Sequence, residues 1–173
     1  MSDRQQDHFL VAALGAGARR EPPAFQGTLE GGAGIALAVL DGMAGGGSGN
    51  AGEHAAILAA ETIFAHLSTA PLPEGDAACE ERVRGALMAA HHAIGAHGAA
   101  HHRYQGMGCA ATLAWITGAR LHVAQAGDTR AYVLRAGRPA RGAASVLRPH
   151  RGTGARESRR DRARCADARP RAA

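Results

Sequence analysis

The sequence predicts an α+β domain with mainly antiparallel sheets. Three observations carry that expectation: short unbroken apolar runs bounded by Gly- and Pro-rich stretches near the start, two segments of helical periodicity in the middle, and a change to strand-like patterning from Gly108 onward.

Residues 8–14 (HFLVAAL) read as a short strand, followed by a Gly/Pro-rich connection over residues 15–33. Residues 34–40 (GIALAVL) form a continuous apolar run that stops at Asp41-Gly42, the pattern of a buried strand ending in a loop. The next stretch is too rich in glycine for regular structure, because each glycine loses the most backbone freedom on ordering. A helix is expected from about Glu53 to Leu67, with Ile57, Ala60, Phe64 and Leu67 on one face, and Pro71 and Pro73 beyond its end. A second helix is expected from about Ala77 to Ala96, with a stripe of Val83, Leu87, Ala90 and Ile94. Then CAATLAWI, LHVAQAG and AYVLR, separated by short turns, predict a three-strand meander.

At 173 residues the chain suits one domain with a sizeable core. Aromatics make up only 3%, so the core is built from small residues, above all alanine. All 20 cationic side chains are arginine, which reads as a coding bias more than a functional choice. Their distribution is uneven. Residues 1–134 carry 8 Arg against 12 Asp and Glu, net −4, whereas residues 135–173 carry 12 Arg against 3 acids, net +9. The expected organisation is therefore a domain over residues 1–138 and an Arg-rich, disordered tail over 139–173. Three widely spaced cysteines give no CxxC pair, and the polar start and lack of a long apolar run point to a cytoplasmic protein.

Four segments carry the chemistry. They are Asp41-Gly42-Met43 at a strand end, Gly52-Glu53-His54-Ala55 at a helix start, Gly106-Met107-Gly108-Cys109-Ala110-Ala111-Thr112-Leu113, and Val123-Ala124-Gln125-Ala126-Gly127-Asp128-Thr129-Arg130-Ala131-Tyr132. In this order they resemble the VxDGMGG, GExAS, GMGTTxV and VANVGDSRAY segments of the metal-dependent protein serine/threonine phosphatases (the PPM or PP2C family), over about residues 8–138. The resemblance implies part of that family's layered β-sandwich with helices on its outer faces. It implies dephosphorylation of phosphoserine and phosphothreonine in proteins with Mg²⁺ or Mn²⁺, since hard cations take oxygen ligands and acidify a bound water. It also implies that Asp41 is the catalytic, ion-bridging carboxylate, that Gly42 offers its backbone carbonyl to the same ion, and that Asp128 is an accessory metal ligand. Read alone, Asp128 is equally an Asx-type turn former.

The family also has an Arg-x-x-Asn-Glu-Asp segment after its first strand. Matched on Ala24-Phe25, it puts Pro22 and Pro23 where carboxylates belong, leaving Glu21 as a substitute and Arg19 or Arg20 as phosphate-binding candidates. The family's remaining aspartate ligands lie in its second half, in segments not found here, so catalysis is expected to be impaired. The alternative is a non-catalytic remnant or a phosphoprotein-binding module.

Other readings are weaker. Residues 47–52 match GxGxxG, but no second strand precedes the acidic residues Glu74 and Asp76 that a nucleotide-binding fingerprint would require. His91, His92, His97, His101 and His102 form a patch in which His97 and His101 are spaced to chelate zinc. No further ligand stands at helical spacing, which favours a solvated helix end. The tail lacks interleaved aromatics, so only non-specific contact with nucleic acid is expected, and no membrane partner.

Overall fold

The computed structural model describes residues 6–15, 18–20, 28, 32–46, 49–69, 71–135, 138–140 and 145–147, with backbone alone at 18–20 and beyond 133. Strand β1 (Asp7–Ala13) sets the pattern: Leu10 and Ala12 point into the core, while Phe9 and Val11 are only half-buried on the other face. The short β2 (Ala18–Arg20) returns antiparallel along the end of β1, with Ala13 opposite Ala18 and Val11 opposite Arg20. Strand β3 (Ile35–Met43) runs antiparallel to β1 from Ala13↔Ile35 to Asp7↔Asp41. Its burial alternates strictly: Ala36, Ala38, Leu40 and Gly42 are buried, Leu37, Val39, Asp41 and Met43 exposed. The apolar run at 34–40 is therefore buried on one face, not on both, because the helices cover a single side of the sheet.

Helix α1 (Ala51–Leu67) lies on that side. It buries Ala51, Gly52, Ala55, Ala56, Ala59, Ala60, Ile63 and Leu67. The expected stripe was rotated: Ile57 and Phe64 sit half-buried at its margin, and the centre is a row of small residues that lets the helix axis approach the sheet closely. Helix α2 (Asp76–Ala100) buries Val83, Leu87, Ala90 and Ile94 as expected, and continues one turn past Ala96. Gly95 and Gly98 do not end it. Gly98 is buried, and a Cβ there would stand 3.1 Å from the Tyr104 carbonyl oxygen, so glycine permits the close return of the chain through the 3-10 turn His102–Tyr104. Arg82 of α2 donates from Nη1 to the carbonyls of Thr69 (2.6 Å) and His66 (3.3 Å) and from Nη2 to that of Pro71 (2.9 Å), satisfying the end of α1.

Strands β4 (Gly108–Thr117) and β5 (Arg120–Ala126) form the expected hairpin, and β4 pairs with β3 from Ile35↔Ile116 to Met43↔Gly108. Leu113 and Trp115 face the helices; the Trp115 indole N–H donates to the Ala33 carbonyl at 3.2 Å. The third strand of the meander does not join this sheet. Instead β6 (Val133–Arg135) pairs with β7 (Arg138–Ala140), and β8 (Ser145–Leu147), inside the stretch expected to be disordered, takes the free edge of β5 in parallel. The chain leaves β5 at Gly127 (φ +94°), where an added Cβ would meet Ala110 Cβ at 2.6 Å. The connection then passes over β4, where Thr129 meets Thr112.

The main sheet has the order β2-β1-β3-β4-β5-β8, all antiparallel except β5/β8, with both helices on one face. The expected α+β class holds, as a two-layer part of the anticipated sandwich. The remainder of the tail, residues 148–173, lies outside the described residues.

Candidate metal centre

The acidic groups gather at one end of the sheet because of strand register. Asp41 is the seventh residue of β3 and projects from the face away from the helices, where it is exposed. Antiparallel pairing sets Asp7, the first residue of β1, directly opposite it. The carboxyl groups of Asp7 and Asp41 share a hydrogen bond. On the other side of β3, Asp41 pairs with Ala110 of β4, and Gly127 is pressed onto Ala110, so the following residue, Asp128, is carried over β4 toward Asp41. A hydrogen bond of 2.7 Å between the Oγ1 atoms of Thr112 and Thr129 pins this crossing. Arg130 lies within Coulombic reach of Asp128 and bonds Tyr132.

The electrostatics follow from the geometry. Partial burial, then the charge and hydrogen bond of Asp7, then the charge of Asp128, raise the pKa of Asp41 above the usual carboxylate value. Carboxylates that repel one another in this way bind a shared cation in place of the proton. Desolvation of the half-buried Cys109 thiol, with the charge of Asp41, pushes it up to about 12, which makes it a poor nucleophile.

Gly42 has a packing role the sequence did not reveal. A Cβ there would lie 2.0 Å from the Gly52 carbonyl oxygen of α1, so glycine is needed for the helix to seat. The Gly42 N–H donates to the Gln6 carbonyl at 3.3 Å, and its own oxygen abuts Gly52.

The backbone at Arg19 and Arg20 lies away from this centre. Their backbone pairs with Ala12 and Val11, so Arg20 is two strands across and four residues along from Asp41, roughly 16 Å at ordinary strand spacing and rise. Glu21, Pro22 and Pro23 lie outside the described residues. The carboxylate beside Asp41 comes from Asp7, which sequence reasoning missed. The available signal was the run Gln5-Gln6-Asp7 heading an apolar strand, which reads as the Asn-Glu-Asp segment with its middle carboxylate replaced by an amide.

Among the described residues no three His, Cys, Asp or Glu side chains converge as an ion cage. The centre is a contacting carboxylate pair with a third carboxylate flanking it. Its all-oxygen donor set and mutual repulsion fit a hard divalent cation such as Mg²⁺ or Mn²⁺, held chiefly by Asp7 and Asp41. The glycine fingerprint fails on topology: β3 is antiparallel to both neighbours and α1 leads into α2, so no βαβ unit surrounds it.

A family model described as protein phosphatase 2C matches residues 29–169, a span that runs beyond residue 138 into the Arg-rich stretch. No curated protein matches the sequence. Among solved structures, a bacterial serine phosphatase carrying an arginine-to-glutamate substitution is similar with a TM-score of 0.62 and 20% identity, over 80% of this chain and 53% of that one. Serine/threonine phosphatase Stp1 from Staphylococcus aureus is similar at 0.62 and 19%, over 80% and 46%. The Mycobacterium tuberculosis serine/threonine phosphatase PstP/Ppp is similar at 0.56 and 28%, over 81% and 48%. The chain spans about half the length of each of these proteins.

Proposed function

The chain belongs to the protein phosphatase 2C family, and we propose that it removes phosphoryl groups from phosphoserine and phosphothreonine in proteins, with a divalent cation held at the acidic end of its sheet. The observation that carries this reading is the Asp7↔Asp41 register, with Asp128 led in over Ala110. Bare carboxylates repel a phosphomonoester dianion, so the substrate requires the cation. When bound, Mg²⁺ or Mn²⁺ supplies Lewis-acid polarisation of the phosphoryl oxygens and a water acidic enough to attack phosphorus.

The protein's own groups do the rest. Asp7 and Asp41 would hold the ion, and because the pKa of Asp41 is raised, protons compete with the cation there more than at an ordinary carboxylate. Asp128 deepens the negative potential that favours the ion. Arg130, beside Asp128, offers a guanidinium to a phosphoryl oxygen.

We propose further that turnover is weak, because a contacting carboxylate pair and one flanking group give fewer oxygens than a dinuclear site needs. The lack of a three-residue cage among the described residues favours, as the second reading, a domain that binds phosphoprotein without hydrolysing it. The setting we propose is cytoplasmic, in keeping with the unpaired thiols of Cys79 and Cys109 among the described residues. No specific nucleic-acid or membrane partner is assigned; among the described residues no helix is long and apolar enough to cross a membrane. Hydrolysis of para-nitrophenyl phosphate with Mn²⁺, compared with Asp41→Ala, tests the proposal. Equal rates in the two proteins sink the enzymatic reading.

A further inference from the structure

We propose that His54 and His97 form a second cation site, selective for an imidazole-preferring transition ion such as Zn²⁺ and separate from the carboxylates. His54 lies in the first turn of α1 and His97 in the last turn of α2, and the helix packing sets their Nε2 atoms 3.1 Å apart. Two imidazole nitrogens bound to one ion at about 2.05 Å, with an angle near 100° between them, stand about 3.1 Å apart. The ring orientation points the same way. Rings sharing such an ion would have centroids about 4.8 Å apart, whereas a straight N–H···N bond of this length would hold them at about 5.4 Å. The observed separation is 4.6 Å at an interplanar angle of 45°, the bent arrangement of two nitrogens aimed at a common point.

Both rings are fixed by their neighbours. His54 stacks on the buried Tyr104 ring (4.4 Å, 6°), and His97 stacks on His101 (4.3 Å, 22°), whose Nδ1 is engaged with the His97 carbonyl oxygen at 3.1 Å. His101 walls the site by this stacking; among the described residues no third side chain joins the pair, and water would complete the coordination. Nitrogen donors without a carboxylate among them discriminate against Mg²⁺ and Mn²⁺. The site ties the end of α2 to the turn of α1 that carries Gly52, which packs against Gly42 beside Asp41.

The test is calorimetric titration of the full chain with Zn²⁺, thiols kept reduced and millimolar Mg²⁺ present, so that its outcome is independent of the phosphatase proposal. The wild type should show one saturable Zn²⁺ site and a raised Tm with Zn²⁺. His54→Ala and His97→Ala should each weaken binding by about tenfold or more, and the double variant His91→Ala/His92→Ala should leave it unchanged. Should His54→Ala fail to fold, His97→Gln and the imidazole ¹⁵N shifts of the wild-type protein give the same reading. Absence of a saturable component, survival of that component in the His97 variants, or His54 and His97 resonances unmoved by Zn²⁺ would each overturn the proposal.

Discussion

Gly127→Ala separates two physical demands on the residue that steers Asp128 to its place. The first is backbone conformation: φ is +94°, a region that costs an L-residue about 1–2 kcal/mol. The second is space, since the new Cβ would stand 2.6 Å from Ala110 Cβ and 3.0 Å from Ala110 Cα, about 1 Å inside an ordinary carbon–carbon contact. Such overpacking costs about 1–3 kcal/mol. Together the loss should be about 2–5 kcal/mol, a large share of the roughly 5–15 kcal/mol that holds an ordinary domain. Urea unfolding in chelator reads it directly. Ala110→Gly removes the opposing Cβ, so the double variant should recover about 1–2 kcal/mol of the overpacking cost while the conformational cost persists. A Gly127→Ala protein within about 0.5 kcal/mol of wild type, or a strictly additive double variant, would refute the idea that this turn is pressed onto β4.

Other expectations follow from single contacts. Asp41→Asn should stabilise the metal-free protein at pH 7 by about 0.5–1 kcal/mol, after allowing for solvent screening of this exposed group. The sign is set by linkage. The folded pKa of Asp41 is raised above the ordinary carboxylate value, so its contribution is complete below that value and is lost as pH rises through the folded one. Thermal unfolding across that window should therefore slope downward in the wild type and be flatter in the variant. Gln6→Glu puts a second carboxylate beside Gly42 and Gly52 and should strengthen Mn²⁺ binding by about tenfold, read by titration, at some loss of metal-free stability. Arg82→Ala removes the guanidinium from the Thr69 and Pro71 carbonyls, leaves that of His66 to the Thr69 N–H, and should cost about 0.5–1.5 kcal/mol by denaturant unfolding, with no change in Mn²⁺ affinity.

What the sequence revealed was set by side-chain contrast. The stripe of α2 was legible because Val83, Leu87, Ala90 and Ile94 stand out among charged and polar neighbours. In α1 alanine occupies so many positions that the eye follows Ile57 and Phe64, whereas the packed face is the alanine row itself. Strand β3 read as buried on both faces because Leu37 and Val39 are apolar although exposed, and composition cannot tell which side a helix will cover. Asp41 and Asp128 were legible from their motifs. Asp7 was not, because its meaning depends on an antiparallel register with a strand nearly thirty residues downstream. The same dependence on register sets where the backbone at Arg19 and Arg20 begins, two strands across from Asp41.

Titration of Mn²⁺ into wild type, Asp7→Asn and Asp41→Asn proteins is the most direct measurement of whether the paired carboxylates make this end of the sheet a cation site. The expected result is a saturable component in the wild type, displaced by Mg²⁺ and lost in each single variant. Wild-type affinity in Asp7→Asn would show that register alone does not make the centre, and would contradict the account at its base.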